Sequence, residues 1–521
     1  MFLISINKRN VLGTANNPIK SARFDLFIQG TIRNSCFEAI SLSFFLSEIT
    51  RSIENLNNFI GNFCGVIHDK KKNILTLFTD RNAVNQLYYF YDGENLIVSS
   101  SLDYVIRNCN QKLTLDWTTW SDMFIFHHIH GSRTYLNEIK TLSMGEIVKI
   151  NLSKKTVTSI QNYQILNQPI ISKTREVVIS EIAELSKKSV QKAIRASNDQ
   201  FQMMLSGGLD TRLIAASLHS LNKSSITYTI NTDVGSSTEE DFAKLVSQEL
   251  GWQNFFIPYS ENWYSNYILE YFVQSNFESW FHPWFKYLTD MLPINNSPYL
   301  LGIDGDALIR GSYTPSKKTT LANAYFDWSK ANHFGLFVDR FENQIELASQ
   351  QSFFQELKKT FFHEQGFLYY RINSRDRRNI YQACRIFSEK HKMINIFHDP
   401  EFFNYFFGLP FGITKEKNIH EDIIKKINPL LGNLPSTSNY DRSKVKKTPI
   451  TKFTKETVQL LINALENEII LSLNILDSKK VTLLKENLLR YDQKSISLFI
   501  NSQIYLLFST WLSTYKDFIS F

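Results

Sequence analysis

The 521-residue chain is long enough for two or three domains and too long for a single small binding module. Its formal net charge of +7 is spread over that whole length, which argues against a dedicated nucleic-acid stripe, and only 19 Gly and 12 Pro argue against long disordered linkers. With 43% apolar residues, including 41 Phe, the chain can bury large cores.

Cys36, Cys64, Cys109 and Cys384 form no CxxC pair and have no histidine at metal-ligand spacing, so neither a structural zinc site nor a disulfide framework is expected. The apolar start, Met1 to Ile6, is too short for a signal peptide. The longest apolar stretches, such as Ile504 to Phe508, fall far below the roughly 18 residues of a membrane span. The expectation is a cytoplasmic protein with no membrane span.

From residue 1 to about 165 the apolar period is close to two, in short runs Phe59–Ile67, Ile74–Phe78, Leu87–Tyr91 and Leu96–Ser99 separated by turns such as Asp92-Gly93. This predicts an antiparallel β domain with one or two helices. The pattern lapses into Pro, Ser and Lys around Asn167 to Thr174. A helical period then runs from Arg175 to Ala196, with Val177, Ile179, Ile182, Leu185 and Val190 as expected buried positions. The boundary is placed there, giving domains 1–168 and 169–521. Next come strand Phe201–Leu205, helix Thr211–Leu221, strand Ile226–Ile230, helix Ser237–Leu250, strand Phe255–Tyr259, a long helical stretch and strand Tyr299–Ile303. That alternation predicts an α/β parallel sheet covered on both faces, with ligands at the carboxyl ends of its strands. From Asp327 onward the pattern is almost wholly helical.

The chemistry concentrates in Met203-Met204-Leu205-Ser206-Gly207-Gly208-Leu209-Asp210-Thr211-Arg212. A strand ends, a Ser-Gly-Gly turn follows and a helix begins at once. Two glycines let the backbone approach an anion, Ser206 and Thr211 offer hydroxyls, and the helix N-terminus carries partial positive charge. The P-loop ending Gly-Lys-Ser/Thr is absent. Asp210 would repel phosphate, so it makes sense beside the anion only with a divalent cation between them.

The whole string resembles the pyrophosphate-binding loop of the ATP pyrophosphatase superfamily, whose members adenylate a substrate. Leu300-Leu301-Gly302-Ile303-Asp304-Gly305-Asp306-Ala307-Leu308-Ile309-Arg310-Gly311 resembles the Gly-rich acidic segment of asparagine synthetases, β-lactam synthetases and lasso-peptide cyclases. That resemblance implies ATP and Mg²⁺ as cofactors, Asp210 and Asp306 sharing the metal, and Leu205, Ser206, Gly207, Gly208, Leu209, Asp210, Thr211, Gly302 and Gly305 around the nucleotide. Gly61-Asn62-Phe63-Cys64-Gly65-Val66-Ile67, Thr79-Asp80-Arg81, Leu87-Tyr88-Tyr89, Ser99-Ser100-Ser101-Leu102 and Gly131 to Ile150 resemble the class II glutamine amidotransferase domain fused to these synthetases, which implies an Ntn-hydrolase-like fold.

Three departures stand against that pattern. Glutamine-hydrolysing members use a cysteine as their second residue; this chain reads Met1-Phe2, and a phenyl ring cannot attack an amide, so a degenerate domain without glutaminase activity is expected. Relatives tend to place Glu or Tyr where Ile303 stands, and the family's acid falls on Lys392, which leaves the general base unassigned; adjacent Asp304 should face the opposite way on an extended segment. A family lysine that stabilises the oxyanion follows a Leu-Pro, here Leu409-Pro410; Lys417 is the choice and Lys415 the second. Elsewhere, Arg375-Asp376-Arg377-Arg378 and Arg442 to Lys447 are expected to be solvated faces, and His127-His128-Ile129-His130 a satisfied surface group. Phe353-Phe354 and Phe361-Phe362 are expected in a core.

Together these features imply an AMP-forming amide ligase working through an acyl-adenylate on a carboxylate-bearing substrate. The favoured subtype is lasso-like peptide macrolactam closure in natural-product biosynthesis, where an intramolecular amine needs less of a base; a biosynthetic partner protein would fit it. An ammonia-dependent asparagine synthetase or small-molecule amide synthetase is the second reading. A non-catalytic nucleotide-binding protein is the third.

Overall fold

The computed structural model describes residues 3–7, 10–14, 18–233, 235–312, 314–315, 319–329, 335–416, 418–440 and 446–520. The period-two runs of the first 165 residues form two antiparallel sheets, one of five strands and one of six. In the larger sheet Phe24–Asn34 pairs along its whole length with Phe59–Asp69, which pairs in turn with Ile74–Thr79. The smaller sheet contains Tyr88–Tyr91 and Leu96–Ser99. Residues alternate between faces along a strand, so each sheet offers one apolar face. Those faces meet in a closed cluster that joins Phe27, Val66 and Leu77 of one sheet to Leu96 and Val98 of the other.

Helix Arg175–Ala196 follows, with the bounds its periodicity predicts. Its buried positions include Val178, Ile179, Ile182 and Val190, whereas Val177, expected inside, is 44% exposed. A helix covers its partner with a stripe of limited width, and Val178 takes the place in that stripe.

The second half is built on a five-stranded parallel sheet. In spatial order its strands are Asn254–Ile257, Ile226–Ile230, Gln202–Met204, Tyr299–Leu301 and Met393–Asn395. Chain order therefore runs outward one way from Gln202–Met204, then restarts on its other side with Tyr299–Leu301. That reversal opens a crevice at the carboxyl ends of these two neighbouring strands, and the Ser-Gly-Gly loop and the Gly302–Asp306 segment are what follow them. Met393–Asn395 was expected to lie in a helical tract; it is a three-residue buried strand. Too short to show a period, it is held by its pairing with Tyr299–Leu301.

The remaining residues are mainly helical, helix Gln493–Tyr515 being followed by a two-residue strand, Ile519–Ser520, that pairs with Leu113–Thr114, and among the described residues no helix is long and apolar enough to cross a membrane. Helix Gly366–Arg371 runs straight into a π-helical stretch, Ile372–Ile380. Here the expectation of a solvated basic face fails: Asp376, Arg377 and Arg378 are fully buried. Arg377 donates to Leu142 O at 2.6 Å, and Arg378 donates to Arg133 O at 2.9 Å and to Glu278 at 2.7 Å. These cations stitch the parallel-sheet half to the antiparallel half. His127, His128 and His130 are likewise buried at that seam; the His130 ring meets Tyr370 Oη at 2.6 Å. Phe353 is core as expected, but Phe362 is 88% exposed.

Candidate active site

Strand Gln202–Met204 is locked beside its neighbour by Leu205 N–H donating to Tyr228 O at 2.9 Å, and the chain then turns through Ser206-Gly207-Gly208 into helix Leu209–Ser220. Gly207 has no room for a side chain: a Cβ there would lie 2.8 Å from Thr238 O. Its N–H donates to the Glu239 carboxylate at 2.7 Å, and Gly208 N–H donates to Ser206 Oγ at 3.2 Å. Two amides expected to face an anion are thus turned to protein acceptors. Burial pushes the Glu239 carboxyl upward, against the opposing pull of the Gly207 N–H. Ser206 Oγ and Thr211 Oγ1 lie 3.0 Å apart, and Thr211 Oγ1 also accepts from Ser206 N–H at 3.0 Å. The hydroxyl pair is built into the loop.

Arg212 ends the motif, fully buried, and donates to Leu434 O at 2.7 Å and Pro435 O at 2.6 Å. That anchor brings Thr437 over the loop, where its N–H donates to Gly207 O at 3.1 Å. A segment more than 200 residues away in sequence thereby becomes a wall of the site.

Across the crevice, Asp304 takes a left-handed backbone, φ 74°, at the start of the short helix Gly305–Arg310. Ile303 faces the crevice, while Asp304 turns the other way into the core, accepting from Tyr381 Oη and meeting His398 Nε2 at 2.8 Å. Asp304 therefore does not stand in for the residue that Ile303 replaces. The helix start brings Asp306 N–H to Asp210 Oδ2 at 3.0 Å. Gly305 is required by this approach, since a Cβ there would sit 2.6 Å from Asp210 Cγ; at Gly302 it would be 3.3 Å from the Asp210 backbone carbonyl carbon.

The two aspartates line one cavity of about 550 Å³ with Ser206, Thr211, Arg310 and Thr437; Gly302 and Ile303 form its floor. Burial and the Asp306 charge raise the Asp210 carboxyl above the ordinary range. Burial opposes ionisation of Asp306 as well, but Arg371, then Arg375 and Arg310, outweigh it and hold its carboxyl low. Arg371 lies 3.3 Å from Asp306 and 3.2 Å from Asp376. On the other side, fully buried His420 sets Nδ1 3.7 Å from Asp210 Oδ1. Arg310, Arg371 and His420 were missed as site residues; Arg310 stands inside the acidic segment, whereas Arg371 and His420 carry no motif and reach the site only through tertiary packing.

Among the described residues no three His, Cys, Asp or Glu side chains are grouped to hold a metal by themselves. Mg²⁺ needs no such cage, because it binds through one or two carboxylates with phosphate oxygens and waters completing its shell. Asp210 beside Asp306, with glycine wherever a Cβ would fill the gap, is a donor pair of that kind. Lys417 lies outside the described residues. Lys415 donates its ammonium to Gly311 O and Thr314 O, both at 2.6 Å, and burial with the Arg371 charge lowers it to about 8.

Comparison with known proteins shows what a chain with this parallel sheet, Ser-Gly-Gly loop and pair of acids at the switch point resembles. Residues 181–379 match the asparagine synthase family, a family of ATP-dependent carbon–nitrogen ligases, and residues 49–164 match the glutamine amidotransferase domain family. The chain is thus similar to asparagine synthases over residues 181–379, with an amidotransferase-like stretch ahead of that match. No curated protein matches it. One similar solved structure is glutamine phosphoribosylpyrophosphate amidotransferase from B. subtilis complexed with ADP and GMP, at 11% identity, covering 51% of this chain and 63% of that one with a TM-score of 0.20.

Proposed function

We propose that the chain activates a substrate carboxylate with ATP, releasing pyrophosphate, and passes the acyl-adenylate to an amine with release of AMP. What carries this reading is the meeting of Asp210 and Asp306 beside the Ser206–Thr211 hydroxyl pair on one cavity at the switch point. Bound Mg²⁺ would neutralise charge on the β- and γ-phosphates. Asp210 and Asp306 would hold it, Ser206 and Thr211 would offer hydroxyls to phosphate oxygens, and Arg310 lines the same cavity as a cation. Lys417 is the choice to steady the oxyanion as the amine attacks, with Lys415 the second.

No glutaminase supplies the amine in this scheme. Burial raises the thiols of Cys64, Cys109 and Cys384, and Cys36 sits in an exposed turn. The three raised thiols are the reverse of an activated nucleophile. The amine then belongs to the same substrate, in ring closure of the macrolactam kind, or arrives as free ammonia. Carboxylate-dependent ATP–pyrophosphate exchange is the test: its absence on any acid, with nucleotide still bound, would leave a binding protein. Asparagine formed from aspartate, ATP and ammonium would select the asparagine synthetase reading over ring closure.

A further inference from the structure

A second cavity, of about 460 Å³, lies on the far side of Arg371. Arg371 belongs to both sites, lining this cavity while its guanidinium meets Asp306, a wall of the first. Two stacked aromatic pairs furnish the second cavity. Trp280 and Phe281 lie 3.8 Å apart at 24°, and Trp328 and Tyr370 lie 4.7 Å apart at 21°. Cationic groups come from Arg371, the last residue of helix Gly366–Arg371, with a side chain 3% exposed, and from Arg375 of the π-helical tract, 26% exposed and paired with Asp376 at 3.2 Å. Both guanidinium groups line the cavity, Arg375 the more exposed of the two.

Volumes of about 300–1,000 Å³ suit small organic ligands, held by apolar walls and a few placed polar groups. Aromatic faces gain most from another flat or ring-shaped body, and a guanidinium prefers a carboxylate. A molecule as small as aspartate would leave both aromatic pairs in water. We propose that this cavity holds the acyl substrate, and that this substrate is a ring-bearing carboxylic acid, its ring between the aromatic pairs and its carboxylate at the Arg371–Arg375 edge, toward Asp306. The proposal rests on the adenylation reading above and adds the substrate class.

The test uses the full chain without nucleotide and saturation-transfer NMR with benzoate, 4-hydroxybenzoate, glucuronate, acetate and aspartate as probes. Benzoates or glucuronate should receive saturation at their ring protons, whichever of the two responds naming an aromatic or a sugar acid, while acetate and aspartate should not. Arg375→Gln should weaken that binding about tenfold, the loss of one charge-assisted contact. Trp328→Ala, with its circular dichroism unchanged, should abolish it. Binding of aspartate as tight as that of the ring acids, or no ring-acid binding, overturns the inference. Exchange with aspartate and with no ring acid overturns it too, yet leaves adenylation standing. Ring-acid binding with no exchange on any acid removes adenylation and leaves the ring-acid site.

Discussion

Asp80, buried just past the end of strand Ile74–Thr79, and Asp210, half-buried in the first turn of helix Leu209–Ser220, both have carboxyls that desolvation pushes upward, Asp80 to about 6. Their surroundings differ. Asp80, in the antiparallel half, accepts from the N–H groups of Asn82, Val84 and Asn85 at 3.1–3.2 Å, and its hydrogen bonds hold one turn. Asp210 meets a second carboxylate, an imidazole and a cavity. A buried acid closed by backbone donors serves structure, while one left beside a like charge at an open cavity is poised for a cation.

The strongest way to break this contrast is substitution. Asp210→Asn or Asp306→Asn should lower carboxylate-dependent ATP–pyrophosphate exchange by about 10²–10³-fold, as for loss of one preorganised electrostatic group. Asp80→Asn should leave exchange intact and cost about 1–3 kcal/mol of stability in urea unfolding, since one of its oxygens becomes an amide that cannot accept those N–H bonds. Equal exchange losses at both positions would erase the distinction.

A second expectation separates the halves by substrate. Glutamine should yield no glutamate above the buffer rate, in the presence or absence of ATP, when followed by a coupled glutamate assay.

The lysines come next. Lys417→Met should slow product formation while sparing exchange, because the oxyanion forms after adenylation. Lys415→Met should mainly loosen the Gly311–Thr314 turn, costing about 1–3 kcal/mol for two carbonyls that lose their donor. Pyrophosphate exchange and product release measured on the same preparation resolve the two effects.

The smallest effect is one of pH on the metal-free protein. The Asp210 carboxyl is raised in the folded state, so between its unfolded and folded values the native chain holds the extra proton and stability falls as pH rises. His420 runs the other way: burial lowers it to about 3, so stability falls as pH drops below the ordinary imidazole range. Asp210→Asn should therefore melt above the parent at pH 8, the gap closing toward pH 4. A constant gap would mean that Asp210 does not titrate as described.

Much of this was legible in the chain. Helix Arg175–Ala196 and the strand Leu96–Ser99 have the bounds their periodicity gives, because local period and burial agree there. Ser206 and Asp210 are legible in the strand–turn–helix string around them, and Asp306 through the resemblance of its Gly-rich acidic segment to that of the synthetases. The histidines at 127–130 and Asp376-Arg377-Arg378 were misjudged for one shared reason: charge predicts exposure unless a partner from elsewhere in the chain satisfies it. Here the partners are Glu278, Tyr370 and the carbonyls of Leu142 and Arg133.

The linear order of residues determined the parallel sheet, the loop that ends its first strand and the two acids, since each is written in spacing of a few residues. Tertiary structure alone decided that Tyr299–Leu301 lies beside Gln202–Met204, so that Asp306 meets Asp210, and that Arg371, His420 and Thr437 arrive there. Contacts between residues 65 to more than 200 positions apart leave no local pattern, because they are fixed by how sheets and helices pack.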